Sequence, residues 1–466
     1  MVLRPKKCIA RGTVQTIKAE LSAMPIQTVP EQGGQWAFTF LVLFTIADFA
    51  RPEDIFRIPF HFQLIFGVCA ALAYIAALLA RRVRLFWSRE LILVVLLTIW
   101  FTLGVPFAYW RRESFEVLTQ VWLKTLLSFF LLSQMLTSQD RIKKLLWAII
   151  LSELLVTSLS IAMSGRADLR VGDRLSGISA GLLAWNYFGI AVAQICPYVG
   201  ALYLFDRSKL KTGVLLVSLL AMMWMLVLTA SRGGFLNVVF SIVLTWWLVL
   251  RGSARGRIAC AVLVVCLLIC VAGAPGVFFV RVQTIWKGSN NTTNDVVSAA
   301  EESTRGRQFL LDRAISYTLR YPIFGVGLGN FADINGTELA RPDAWYSTHN
   351  TFTQISSEAG IPALILFLFL LAAVVSHMRQ MSRAVGDDRR SWELRLLARA
   401  TLASTLSLAF GWFFANLAYD RYSYYSAGIA TGLWIAFRQL SRVGQVTQSQ
   451  NKLYSLASAT LPLKSA

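Results

Sequence analysis

Histidine is scarce in this chain, with three in 466 residues, and none of its six cysteines falls between Arg281 and Ser357. That stretch is a polar island in an otherwise apolar sequence. Without cysteine it has no internal disulfide and no thiolate metal site, and its lone histidine, His349, cannot make a zinc centre by itself. Cys8 sits in a polar N-terminal tail. Cys69, Cys196, Cys260, Cys266 and Cys270 sit in apolar runs, where they read as small buried hydrophobes. Strand alternation and internal repeats are also missing. The first 34 residues are basic and mixed, and the first apolar run comes only after Gly34. That order does not fit a cleaved signal peptide, and the first helix is expected to stay as an anchor.

Hydrophobic residues make up 56% of the chain, above the roughly 45–50% of soluble domains. Leu91–Tyr109, Val214–Ala230 and Ile361–Ser376 are long and nearly uncharged, and a bilayer core needs about 20 such residues per helix. A large soluble core would need only one or two helices apolar all round. The expected fold is an all-α polytopic membrane protein of about twelve transmembrane helices. The spans read as 36–50, 58–80, 91–109, 115–135, 143–163, 180–205, 212–230, 234–250, 258–280, 360–377, 397–417 and 424–440. The first is short, with Asp48 near its end.

Acidic residues are outnumbered, 25 against 45 basic ones, for a net charge of +20. In a soluble protein that excess points to nucleic acid. Here it belongs to cytoplasmic loops, which concentrate Lys and Arg. With twelve spans, loops on one side carry 27 basic residues and short loops on the other carry 9. The richer side is cytoplasmic by this rule and holds both termini, so nucleic acid is not an expected partner. The organisation is then a cytoplasmic tail at 1–34, spans 1–9 within 35–280, one large and mostly helical periplasmic loop at 281–357, spans 10–12 within 358–440, and a cytoplasmic tail at 441–466. The island, Arg232 and the loop at 164–179 share the outer face.

Within the island, Trp286 to Ala300 is rich in Asn, Thr and Ser and reads as flexible. A helix is expected from a cap at Ser303 or Thr304, with Leu310, Leu311, Ala314, Ile315 and Thr318 on one face and Pro322 past its end. Phe324-Gly325-Val326-Gly327-Leu328-Gly329-Asn330-Phe331 then reads as a tight, backbone-exposed turn. It lacks the preceding strand and the spacing of a dinucleotide fingerprint. A second helix is expected from near His349 towards the span at Ile361, and the tail after Arg442 reads as disordered.

Three elements carry candidate chemistry. Arg232 ends an apolar helix, in Ser231-Arg232-Gly233-Gly234. Charge at membrane depth costs from about 2.5 kcal/mol upward and tends to be functional, although an arginine can also snorkel to the interface. Arg305 and Arg307 open the expected island helix. Basic side chains there, with free backbone N–H groups, make a phosphate site or simply a solvated basic end. His349, beside Asn350, has the near-neutral pKa of a base for a sugar hydroxyl, or is structural. Glu358 lies nine residues on, about 900° around a straight helix and so on the opposite face. A His349–Glu358 dyad is therefore not expected, and Glu358 is expected to pair with an arginine or pack at the interface. Trp345 and Tyr346 can stack on sugars or pack.

Taken together, these pieces resemble the O-antigen ligase and polymerase superfamily, bacterial membrane glycosyltransferases that include the Wzy-like polysaccharide polymerases. Ser231-Arg232-Gly233-Gly234 after a span carries the likeness. So do Arg307 through Tyr321-Pro322 to Gly325-Val326-Gly327-Leu328-Gly329-Asn330-Phe331, and His349-Asn350-Thr351 leading to Glu358-Ala359-Gly360. The likeness covers roughly residues 170–380. One departure is Ala184-Trp185-Asn186, where family members often have Asn-Pro-Asn. The resemblance implies a helical bundle with a periplasmic loop over a cavity, and a glycan donor on undecaprenyl diphosphate. The implied acceptor is a sugar hydroxyl on lipid A-core or on a growing polysaccharide. Arg232 and Arg307 would hold the diphosphate and His349 would activate or orient the acceptor. Arg305, Asn350, Glu358, Trp345 and Tyr346 complete the candidate substrate-binding set. Neither a metal nor another cofactor is implied.

Two other readings remain at this level. One is a polysaccharide or lipid transporter, suggested by Asp48, Glu116, Lys124, Glu153 and Arg399 in or near spans. Those charges are scattered, without the inverted halves and paired broken helices usual in transporters. The other is a protein O-oligosaccharyltransferase, the same chemistry on a Ser or Thr acceptor.

Overall fold

The computed structural model describes residues 34–56, 58–165, 170–171, 174–175, 185–283, 295–340, 345–384 and 388–439. The N-terminal tail with Cys8, most of the 164–179 loop, the stretch from Trp286 to Asn294 and the C-terminal tail lie outside the described residues.

Apolar runs fold as helices because a helix satisfies every backbone N–H and C=O within itself, which lipid demands. Nine described helices are long and apolar enough to cross a bilayer, and the chain is a multi-pass all-α membrane protein. After the short α1 (Gln35–Ala50) come α2 (Phe62–Leu79), α3 (Arg89–Gly104), α4 (Arg111–Met135, with a π-helical stretch at Val117–Trp122) and α5 (Gln139–Ala162). The central group is α6 (Trp185–Phe205), α7 (Lys209–Thr229), α8 (Arg232–Leu250) and α9 (Ala254–Ala272). Next are α10 (Gly276–Gln283), α11 (Asp295–Arg320), α12 (Phe331–Leu339), α13 (Thr351–Arg383), α14 (Arg389–Gly411) and α15 (421–439). The three expected spans outside the nine, α1, α14 and α15, are also helical.

Sixteen residues give α1 a length of about 24 Å, short of a bilayer core of about 30 Å. Its end is pinned: Asp48 is fully buried, pairs with Arg421 and accepts a hydrogen bond from Tyr425 at 3.1 Å. Glu116 pairs with Arg112 on the surface. These two charges are satisfied locally rather than strung along a path.

The middle of the bundle is α6, α8 and α14, which pack on one another. Small residues let them approach: a Cβ on Gly189 would stand 2.2 Å from Cα of Gly234, and Ser241 donates to the Ala193 carbonyl at 2.6 Å. Close packing of this kind, with side-chain hydrogen bonds across helices, replaces the hydrophobic drive that lipid removes. Five described cysteines are free, three of them buried.

Two differences from the expected fold concern α11 and a small strand pair. α11 begins at Asp295, not at Ser303 or Thr304, so Arg305 and Arg307 lie well inside it. Its buried face is Leu310, Ala314 and Tyr317, closed by Val326, Phe331 and Ile334 into a small second core. Leu311 and Ile315 point out, at 36% and 46% exposed. The aromatic Tyr317 and the partners from α12 select the i, i+4, i+7 stripe over the neighbouring one. A short antiparallel pair, Arg170–Val171 with Arg174–Leu175, stands where no strand pattern is legible. Two residues per strand are too few to show alternation.

The loop is fastened to the spans by the glycine turn. Gly325, Gly327 and Gly329 all have positive φ, at 67°, 107° and 77°, a region L side chains enter at a cost. Val326 N donates to Ser357 O at 2.8 Å and Gly327 N to Glu358 O at 2.9 Å. On the other side, Tyr109 N donates to Val326 O and Ser114 Oγ to Leu328 O. Gly360, at φ 85°, interrupts α13, and a Cβ there would lie 1.9 Å from Ile323 O. The segment Thr351–Ala359 is thereby offset from the long apolar remainder of α13.

Candidate functional site

The site is built at the start of α8. α7 ends when Ala230 turns left-handed at φ 48°, and Ser231 caps α8 by accepting from Gly234 N at 3.2 Å. No loop intervenes, so Arg232 is the first residue of a membrane helix, half-buried at its positive end. A cation at a helix N-terminus opposes the dipole, and an anion there is favoured by both. Gly234 permits contact with Gly189, and Gly233 packs against the Phe414 ring.

Two more arginines reach this point from separate elements. Arg307 comes from α11 and Arg281 from the last turn of α10, which packs on α11. Arg232 Nη2 donates to Thr304 Oγ1 at 3.2 Å, tying α8 to α11, and Phe235 meets Phe278 edge-on at 5.6 Å, tying α8 to α10. Burial lowers the pKa of Arg307, and the charges of Arg232 and Arg281 lower it further. Arg281 is lowered by burial and by Arg232. Like charges held this close, partly out of water, favour an anionic occupant.

His349 completes the group. It is half-buried in left-handed backbone at φ 51°, one residue before Asn350 caps α13. Its pKa is pushed down to about 4, first by burial and then by the charge of Arg307. The imidazole is therefore neutral at physiological pH, with a lone pair available to take a proton.

The remaining expected residues are placed differently. Arg305 is exposed; residues two apart on a helix point about 200° apart, so Arg305 and Arg307 face different ways. The expectation that both open a helix and face an anion through its dipole fails, because α11 starts at Asp295, more than two turns before either of them. The helix start that does bear an arginine of the site is that of α8. Asn350 Oδ1 accepts from Phe352 N at 2.9 Å and Thr353 N at 3.1 Å, so this atom is committed to a cap. Trp345 lies with its ring against Gly336 of α12 while 48% exposed, and Tyr346 is 56% exposed. Glu358 is buried and enters no ion pair with an arginine among the described residues. It accepts from Gly329 N at 3.1 Å, holding the glycine turn.

Arg281 is the residue that sequence reasoning missed. In the sequence it reads as the boundary of an apolar run. The available signal is a basic residue ending a short amphipathic helix after Pro275.

Residues 217–368 match the protein family described as O-Antigen ligase. The matched stretch contains Arg232, Arg281, Arg307 and His349, and lies within the region on which the resemblance rests. A search of curated proteins finds no match to this chain.

Proposed function

We propose, with the O-antigen ligase domain at residues 217–368 as premise, that this protein transfers a glycan from undecaprenyl diphosphate to a sugar hydroxyl at the periplasmic face. The acceptor is lipid A-core or a growing polysaccharide. The observation that carries this reading is the gathering of Arg232, Arg281 and Arg307 beside a neutral His349 at the first turn of a membrane helix.

In the reaction, the acceptor oxygen bonds to the anomeric carbon of the donor sugar while the bond from that carbon to the diphosphate oxygen breaks. His349 takes the acceptor's hydroxyl proton, a contribution of roughly 10²–10⁴-fold. The diphosphate leaves with its electron pair, and its developing charge falls on Arg232, Arg307 and Arg281. Donors fixed in advance in a partly dry site stabilise that charge without reorganising. Diphosphate binding also offsets the charge of Arg307, so His349 regains the part of its basicity that this charge removes, while burial still lowers it.

Reconstitution with an undecaprenyl-diphosphate glycan and candidate acceptors tests the proposal. Transfer to a sugar acceptor that requires His349 supports it. No transfer to any sugar acceptor, with transfer to a Ser or Thr peptide instead, replaces it with protein glycosylation.

A further inference from the structure

A second charged site lies at the other end of the bundle. Lys211 lies in the first turn of α7 and Arg232 follows its end, so the two stand about 30 Å apart along a 21-residue helix. Around Lys211 is a cavity of about 1170 Å³. Four helices, α5, α7, α9 and α14, begin at it, at Gln139, Lys209, Ala254 and Arg389. Each contributes the positive end of its dipole.

The lining carries six cations against three carboxylates. Glu393 is shared by Lys143 and Arg389, and Asp206 is taken by Lys211. Arg255 donates to the carbonyls of Tyr203 at 3.2 Å and Asp206 at 3.0 Å. Lys144 and Arg207 are exposed and enter no ion pair among the described residues. The cavity therefore holds net positive charge that its own acids do not cancel.

Its walls are not those of a purely polar pocket. Trp147, Phe205 and Trp392 line it, with Trp392 edge-on to Phe205 at 5.8 Å and 40% exposed. Aromatic side chains at the end of membrane helices mark the headgroup level. Basic pockets between helices at that level suit phosphate-bearing headgroups. A soluble phosphate uses the cations but gains nothing from the aromatic wall.

We propose that this cavity binds the phosphodiester headgroup of an anionic membrane phospholipid, with Lys144 and Arg207 as its principal free cations and the aromatic wall beside its glycerol and acyl chains. The site is independent of the glycan-transfer reading.

The test uses the full chain, extracted from bilayers of phosphatidylcholine with a minor fraction of phosphatidylglycerol, with retained lipid counted by native mass spectrometry. The unaltered protein is expected to keep phosphatidylglycerol over phosphatidylcholine. The exposed pair Lys144→Gln with Arg207→Gln is expected to lower retained phosphatidylglycerol by roughly 25-fold, since each cation near an anionic headgroup is worth about fivefold. The pair Arg82→Gln with Arg89→Gln removes equal charge on exposed side chains outside the cavity and is expected to change nothing. Equal loss in both pairs, or no preference between the two lipids in the unaltered protein, overturns the proposal. Retention of added inorganic phosphate in place of phosphatidylglycerol overturns it in favour of a soluble anion.

Discussion

Gly189 and Gly234 touch backbone to backbone: a Cβ built on Gly189 would stand 2.2 Å from Cα of Gly234. This contact sets how deep α8 sits against α6, and so where Arg232, two residues before Gly234, emerges. Gly189→Ala is expected to destabilise the bundle by about 1–3 kcal/mol, the usual cost of overpacking. Gly213→Ala, where a Cβ meets open space, is expected to be neutral or slightly stabilising. Thermal unfolding of the two variants in detergent decides the matter; equal melting temperatures would show that the approach is dispensable.

His349→Ala is expected to reduce glycan transfer by roughly 10²–10⁴-fold while the protein's level in the membrane stays normal. Transfer near the level of the unaltered protein would remove His349 from the mechanism.

Arg232→Lys keeps the charge but loses the planar fork that grips a diphosphate. Transfer is expected to fall by roughly 10²–10³-fold, the scale of one lost transition-state donor. Arg281→Gln is expected to lower transfer as well. Steady-state kinetics on the reconstituted protein measures both, and full retention in Arg281→Gln would leave Arg281 a structural residue.

The acid limb of the pH profile should be displaced. With its pKa at about 4, His349 of the free enzyme stays neutral from neutral pH down to that value, well below the ordinary value of about 6.5. Protonation, and with it loss of the base, therefore comes only in strong acid. Arg307→Gln removes one charge that disfavours the imidazolium but leaves the burial, so the pKa should rise and remain under about 6.5. Only three histidines are present, so NMR titration of labelled imidazoles can resolve this one. A midpoint at the ordinary histidine value in the unaltered protein would contradict the expectation.

A cysteine placed near Asn291, outside the described residues, should react with an impermeant reagent added from the periplasmic side. Labelling from the cytoplasm alone would invert the topology and, with it, the face of the reaction.

Most of the bundle is legible in the sequence because apolar runs must become helices in lipid. Arg232 and His349 stand out as charge and imidazole where the sequence offers few. What escapes the sequence are relationships between distant segments. Nothing local distinguishes a helix starting at Asp295 from one starting at Thr304, since polar residues at both can cap. Leu311 and Ile315 are as apolar as Leu310 and Ala314, and only α12 decides which stripe is covered. Glu358 reads as an ion-pair or interfacial residue because the backbone N–H of Gly329 that it accepts from leaves no trace in side-chain identity. Arg281 is hidden for the same reason, its neighbours Arg232 and Arg307 being 49 and 26 residues away.

The glycine turn has a consequence for biogenesis. Its backbone is held from both sides, by Tyr109 and Ser114 near the beginning of the chain and by Ser357 and Glu358 beyond the loop. As the chain emerges from the ribosome, the early partners are in place long before the late ones. The loop can assume its final shape only once the first turns of α13 have been made and threaded across. A truncated chain ending before Ser357 would thus carry every arginine of the site yet lack the partners on one side of the turn. Formation of the turn is therefore coupled to synthesis of the chain beyond Glu358.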